Sequence, residues 1–242
     1  EKKITSKTKA ISIVHISGWP ADMVNLVKLA KSYDLRIIED CSQAHGAAIR
    51  INEGFKSVGS FSDVSTWSFC QDKIISTGGE GGMVTTNNKK LWKKMWEYKD
   101  HGKSHDAVYK KKHPEGFRWV HESFGTNWRM TEIQASIGRI QLKHLSTWVT
   151  RRNEIASKYL EAFSNLDMKI PKIRHGAIHA WHQFVLRVND REKFIHHMSN
   201  HGISTGIHYP IPCHLQPVFS DHPQGKRGQL EFTEQLCEEI VS

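Results

Sequence analysis

The chain has 242 residues, 38% of them hydrophobic and 24% charged, with a net charge of +9, the composition of an ordinary globular protein with room for one large domain or two small ones. No apolar run approaches the roughly 20 residues of a membrane span, Glu1-Lys2-Lys3-Ile4 lacks the apolar stretch of a secretory signal, and Cys41, Cys70, Cys213 and Cys237 form no CxxC pair, so the expectation is a cytoplasmic protein without a membrane anchor or a disulfide framework. The one basic run, Lys110-Lys111-Lys112, lacks the interleaved aromatics on which single strands stack, so the positive charge suits an anionic substrate and no nucleic acid is expected.

In chain order, Ala10 to Ile16 reads as a buried strand. Gly18-Trp19-Pro20 is a turn, and Pro20 suits a helix start. Met23, Leu26, Val27, Ala30 and Tyr33 keep a helical period to about Asp34, and Leu35 to Glu39 is a second strand. This is a βαβ unit, so the two strands are expected to be parallel. Ligands bind at the carboxyl ends of such strands, where Asp40 stands. Val64 to Phe69 is a third strand and Gly82 to Thr86 a fourth. Helices are expected over about Lys89 to Lys99, Thr131 to Leu145 and Thr147 to Phe163. Residues 103–122 are polar and irregular, long enough for a functional or partner-facing loop. In a second region Gln183 to Val188 alternates as a strand, and Arg191 to Asn200 is helical. Ile240-Val241-Ser242 falls inside a helical pattern, and both ends read as interrupted rather than tied off. The expected division is 1–145 and 146–242.

The segments around Lys73 carry the chemistry. An amine that forms a Schiff base must lose its proton, which burial near a cation favours. A pyridine nitrogen needs a carboxylate to keep it protonated, and Asp40 and Gln43 could serve one ring. A phosphate needs hydroxyls and amides, which Ser68 and Asn127 supply, and the rigid fork of Arg129 suits a substrate carboxylate. Taken singly, each has a plainer reading. Lys73 suits a surface lysine, Asp40 a turn or cap, and Ser68 a polar strand residue. Asn127 suits a helix cap and Arg129 a solvated first turn. Gly78-Gly79-Glu80-Gly81-Gly82 has the spacing of a tight turn rather than of a dinucleotide fingerprint. The pairs His179 and His182, and His196, His197 and His201, have no acid or cysteine placed to complete a metal set, so no metal is expected.

Four motifs in order resemble the DegT/DnrJ/EryC1/StrS group of sugar aminotransferases. They are Val14-His15-Ile16-Ser17-Gly18-Trp19-Pro20-Ala21-Asp22-Met23; Ile38-Glu39-Asp40-Cys41-Ser42-Gln43-Ala44-His45-Gly46; Gly59-Ser60-Phe61-Ser62-Asp63 with Ser68-Phe69 and Lys73; and Gly206 to Pro217. The resemblance implies an α/β fold: a fold type I large domain built on a mostly parallel sheet, with part of a smaller C-terminal α/β domain. It implies pyridoxal 5'-phosphate as cofactor, a nucleotide-linked keto sugar as substrate, and an amino-acid donor, glutamate. It implies that Lys73 holds the cofactor and shuttles protons, that Asp40 pairs with the ring nitrogen, that Gln43 lies by the ring hydroxyl and that Ser68 binds the phosphate. Asn127 would reach the phosphate of a neighbouring subunit in a homodimer with shared sites, and Arg129, His208 and Tyr209 would face the donor and the sugar. His208-Tyr209-Pro210-Ile211-Pro212 is more similar to members that aminate the 3-keto position. Family members carry about a hundred further N-terminal residues, the scale of a small domain, holding a phosphate cradle and a stacking aromatic. Two other readings stand beside this one: a sugar dehydratase, whose relatives carry histidine in place of the lysine, and an inactive fragment that only dimerises.

Overall fold

The computed structural model describes residues 1–112, 116 and 120–242. They divide into two compact units, Glu1–Thr150 with Gly176–His182, and Arg151–His175 with Gln183–Ser242. The division falls five residues beyond the expected boundary, and 176–182 returns to the first unit.

In the first unit β1 (Ala10–Val14) and β2 (Arg36–Asp40) run parallel, Val14 opposite Asp40, joined through α1 (Met23–Ser32). Helix α1 starts on Asp22, whose carboxylate accepts from Asn25 N at 3.4 Å, rather than on Pro20. Its Met23, Leu26, Val27 and Ala30 pack on Ile13 and Ile37. A hairpin absent from the sequence reading follows: β3 (Ala48–Ile51) and β4 (Gly54–Ser57), turning at Asn52, which takes the left-handed conformation with φ 52°. Strand β5 (Val64–Ser68) joins β2 in parallel and β6 (Gly82–Thr85) joins β5 antiparallel, giving the order β1-β2-β5-β6. A short β7 (Ala177–Ile178) pairs with β3.

The main sheet has two unlike faces. Ile13, Ile37, Glu39 and Ser65 are buried on one; Val14, Ile38 and Val84 on the other are 50%, 39% and 48% exposed. Alternation puts Asp40 on the exposed face, and the register sets Thr66 beside it with Ser68 further along the same face.

Helices α2 (Lys89–Lys99) and α3 (His105–Tyr109) follow, the latter inside the segment expected to be irregular; residues 113–115 and 117–119 of that segment lie outside the described residues. The two helices expected on either side of Ser146 are one, α4 (Glu132–Ala162). Leu145-Ser146-Thr147 holds neither Gly nor Pro, and Ser and Thr cost a helix too little to end it.

In the second unit the expected strand 183–188 shortens to β8 (Leu186–Arg187), because its antiparallel partner β9 (Ile240–Val241) has only two residues. Helix α5 (Arg191–Asn200) is as expected. The helical pattern at the C-terminus stops with α6 (Glu231–Glu239), after which Ile240 and Val241 extend as β-branched residues favour. Among the described residues no helix is long and apolar enough to cross a membrane.

Candidate functional site

The carboxyl end of β2 carries two acids. Glu39 is fully buried. Its Oε2 accepts from Gly59 N at 2.8 Å and lies 3.1 Å from His15 Nε2, and its Oε1 accepts from Phe61 N at 3.0 Å. His15 Nδ1 accepts from Ala21 N at 3.0 Å, so the ring proton sits on Nε2 and is donated to Glu39. Burial would raise the Glu39 pKa, but the bonds from His15, Gly59, Ser62 and Phe61 together hold it below the ordinary carboxylate value. Asp40, one residue on, is half-buried; its Oδ1 accepts from Ser42 N at 3.0 Å, and among the described residues Oδ2 makes no hydrogen bond. Gln43 Oε1 accepts from Ser17 N at 2.6 Å, and its amide nitrogen has no partner among the described residues.

Lys73 lies in the loop between β5 and β6, closed at its base by Phe69 N donating to Gly81 O at 2.8 Å. Its backbone N donates to Cys70 O at 3.1 Å. Its side chain is 14% exposed, with Nζ 3.4 Å from Asp72 Oδ2. Ser68 closes β5, and its hydroxyl accepts from Cys70 N at 3.3 Å, which leaves the hydroxyl proton to be donated. The strand register thus sets Asp40 and Ser68 on one face at one sheet edge, with the Lys73 loop leaving from Ser68. Gly78 and Gly79, with φ of 83° and 137°, make the tight turn that the spacing implied.

The remaining candidates stand apart. Asn127 bridges by its backbone to Asp100, and the helix cap it was suited for belongs to Thr131, whose hydroxyl accepts from Gln134 N at 3.3 Å. Arg129 is engaged by Asp100, NH1 to Oδ1 at 3.4 Å, and the same oxygen holds Lys103 Nζ at 3.1 Å. Among the described residues neither Asn127 nor Arg129 hydrogen-bonds to Lys73, Asp40, Gln43 or Ser68. His208 and Tyr209 belong to the second unit, where His208 Nδ1 meets Ser242 Oγ at 2.7 Å and Tyr209 is 52% exposed.

Two features were not read from the sequence. The His15–Glu39 pair is one; its signal is an acid at a core-facing position, since Glu39 alternates with buried Ile37 and must be paired. The other is His45, whose ring nitrogens are buried without a hydrogen bond of ordinary geometry. Burial and the positive charges of His182 and Lys73 lower its pKa to about 4, against a smaller opposing pull from the Ser68 backbone. His45 borders a cavity of about 430 Å3, lined also by Trp67, Phe69, Met83, Leu142 and Leu145, on the sheet face away from Asp40. His15, Glu39 and Cys41 form the one cluster of potential metal donors among the described residues. Both His15 nitrogens are committed, and burial and the charges of Glu39 and Asp40 push the Cys41 thiol far up, so the cluster is a hydrogen-bonded core, not a metal centre. All four cysteines are free.

Residues 1–242 match the profile of the DegT/DnrJ/EryC1/StrS aminotransferase family. The dTDP-3-amino-3,6-dideoxy-alpha-D-galactopyranose transaminase of Aneurinibacillus thermoaerophilus is 40% identical over the whole chain, which covers 61% of that protein. An aminotransferase from Psychrobacter cryohalolentis superposes with a TM-score of 0.89 at 41% identity, over 98% of this chain and 64% of that one. NtdA from Bacillus subtilis, solved with bound cofactor PMP, superposes with a TM-score of 0.81 at 29% identity, over 99% of this chain and 52% of that one. The chain thus spans about three fifths of the length of the relatives it matches. With its family profile matched end to end and a mostly parallel sheet that superposes on solved aminotransferases, the chain belongs to the DegT/DnrJ/EryC1/StrS aminotransferase family and has the fold type I architecture of pyridoxal-phosphate enzymes.

Proposed function

We propose that the protein is a pyridoxal-phosphate-dependent aminotransferase that moves an amino group from an amino acid, glutamate, to a nucleotide-linked keto sugar. The observation that carries this reading is a set of groups with bonding capacity left at one sheet edge, beside a lysine whose only ion-pair partner among the described residues is Asp72. Asp40 Oδ2 is an acceptor for the ring N–H, the Gln43 amide has hydrogens for the ring oxygen, Ser68 has a hydroxyl proton for the phosphate, and Lys73 is a nearly buried amine. These four groups fit the cofactor's ring nitrogen, ring oxygen, phosphate and aldehyde.

Bound pyridoxal phosphate supplies an electron sink for the bond that breaks at the amino-bearing carbon. The residues supply the rest. Asp40 would hold a proton on the ring nitrogen through its open Oδ2. Gln43 fixes the ring oxygen, and Ser17 in turn fixes Gln43. Lys73 Nζ takes the proton from the donor's α-carbon and returns a proton to the sugar carbon that carried the keto oxygen. The donor leaves as a keto acid and the sugar leaves as an amine, so atoms balance. A relative named for a 3-amino sugar supports the 3-keto position.

The working form is a homodimer. Ile133 and Ile140 of α4 are 76% and 55% exposed, an apolar stripe suited to a second copy, and exposed Asn127 just ahead of it would reach the partner's phosphate site. Arg129 would meet the donor's carboxylate on release from Asp100.

Borohydride reduction in the presence of pyridoxal phosphate, followed by peptide mass spectrometry, tests the lysine. The expected result is a pyridoxyl adduct on Lys73 that is lost in Lys73→Ala. An adduct confined to another lysine would falsify the assignment.

A further inference from the structure

The loop that carries Lys73 has no regular secondary structure, and it is tied to α4 by one stripe of that helix. Gln134, Gly138 and Gln141 follow the spacing that sets side chains on one helix face. Gln141 Oε1 accepts from Ser76 N at 2.7 Å, and Gln134 Nε2 donates to Glu80 O at 2.7 Å. Between them Gly138 leaves room for the loop, since a Cβ there would stand 2.9 Å from Thr77 Cγ2. Inside the loop, Ser76 Oγ donates to Phe69 O at 3.2 Å, Thr77 N donates to the same oxygen at 3.1 Å, and Thr77 Oγ1 donates to Glu80 O at 2.9 Å. Ser76, tied to α4 through its N–H, thus also folds the loop back on Phe69, the residue after Ser68, and the tied carbonyl of Glu80 is the one that Thr77 meets.

We propose that Gln134 and Gln141 are positioning residues for Lys73: their two side-chain amides clamp its loop onto α4 and so fix where the amine stands at the sheet edge. This rests on the reading of Lys73 as the cofactor lysine. One substitution, glutamine to glutamate, separates the clamp from general packing. Gln134 has a second duty, because its Oε1 accepts from Thr131 N at 3.0 Å and from Thr131 Oγ1 at 2.9 Å, a capping box at the start of α4. Gln134→Glu keeps that oxygen but has no hydrogen for the Glu80 carbonyl, and presents negative charge to it. Gln141→Glu keeps an oxygen that accepts from Ser76 N–H. The same chemical change therefore breaks one tie and preserves the other.

The test uses the full chain and the variants Gln134→Glu, Gln141→Glu and Gln141→Leu. Amide hydrogen exchange is followed over 74–81 and over β2, and borohydride trapping of pyridoxal phosphate on Lys73 is measured across cofactor concentrations. A hydrogen bond of this kind is worth up to about tenfold in an equilibrium. In Gln134→Glu and Gln141→Leu, exchange over 74–81 should rise by about that factor, and half-saturating cofactor should rise with it, while β2 keeps the parent's rates. Gln141→Glu should stay within about twofold of the parent, inside the spread of one intact bond. The clamp is overturned if Gln134→Glu matches the parent, if Gln141→Glu is as impaired as Gln141→Leu, or if exchange rises equally in β2. Failure of the parent to trap cofactor on Lys73 would overturn the reading of the lysine instead, and the exchange measurement would still decide the clamp.

Discussion

Glu39 and Asp40 are adjacent carboxylates at the end of β2, and strand alternation sends them to opposite faces of one sheet. Glu39 meets the face closed by α1, takes hydrogen bonds from His15, Gly59 and Phe61, and has no surface left. Asp40 meets the face where Val14 and Ile38 are exposed, and spends one oxygen on Ser42. A carboxylate whose lone pairs are all taken can hold chain segments together but cannot meet a ligand. One with an unspent oxygen contributes little to the scaffold and is free for chemistry. The two residues differ in capacity, not in type, and that difference can be measured, first through stability.

The largest loss is expected at Glu39. Glu39→Ala would orphan Gly59 N, Phe61 N and the His15 ring in a closed interior. Each buried donor left without its acceptor costs about 1–3 kcal/mol, so three of them cost at least about 3 kcal/mol. Asp40→Ala leaves only Ser42 N unpaired, near solvent, and should cost about 1 kcal/mol. Urea unfolding of both variants measures the contrast; equal losses would erase the distinction between the two faces.

Acid should separate the closed interior from the rest. Glu39 has a depressed folded pKa, so its contribution is complete above its unfolded value and is lost as pH falls through the folded one. Two buried histidines act earlier. Burial lowers His179 to about 3, and burial with neighbouring charge lowers His45 to about 4. The unfolded chain protonates them near pH 6.5 and the folded chain resists, so each removes about 1.4 kcal/mol per pH unit as pH falls below about 6.5, until its folded value is reached. Urea midpoints should be flat from about pH 8 to 7 and then fall, and His45→Phe should make the fall shallower. An unchanged slope in that variant would mean that His45 is charged in the folded protein.

What the sequence revealed followed the range of the interactions. The βαβ unit and the placing of Asp40 at a strand end rest on local periodicity and on the handedness of the crossover, which any stretch of chain displays. The β3–β4 hairpin was hidden because strands of four residues hold too few alternations to register. The span of α4 was misjudged at Ser146-Thr147, where polar residues look like a boundary but do not break a helix. Lys73 and Ser68 were singled out by family motifs, not by geometry. The contacts that organise their surroundings were not. Ser76 and Gln141 are 65 residues apart, and Glu39 reaches His15 across 24. Arg129 looked like an unengaged fork because Asp100, its ion-pair partner, lies on another turn of the chain.

The smallest effect on stability, and the sharpest on chemistry, is expected for Asp40→Asn. The amide has the same shape as the carboxylate, and its oxygen can still accept from Ser42 N. Stability should therefore stay within about 0.5 kcal/mol of the parent. Ser68 and Gln43, the side chains proposed to hold the phosphate and the ring oxygen, are untouched, so trapping of cofactor on Lys73 should need less than about ten times more pyridoxal phosphate, the worth of a single hydrogen bond. The amide nitrogen, however, offers hydrogens where the ring N–H needs an acceptor, and it carries no charge to hold that proton. The electron sink weakens while binding persists. Loss of one preorganised group of this kind costs about 10²–10³ in rate. Single-turnover transfer from glutamate to bound cofactor, compared in parent and variant at saturating cofactor, reads that term alone. Equal rates would mean that Asp40 is a structural turn residue, and that its spare oxygen is solvent-facing and without function.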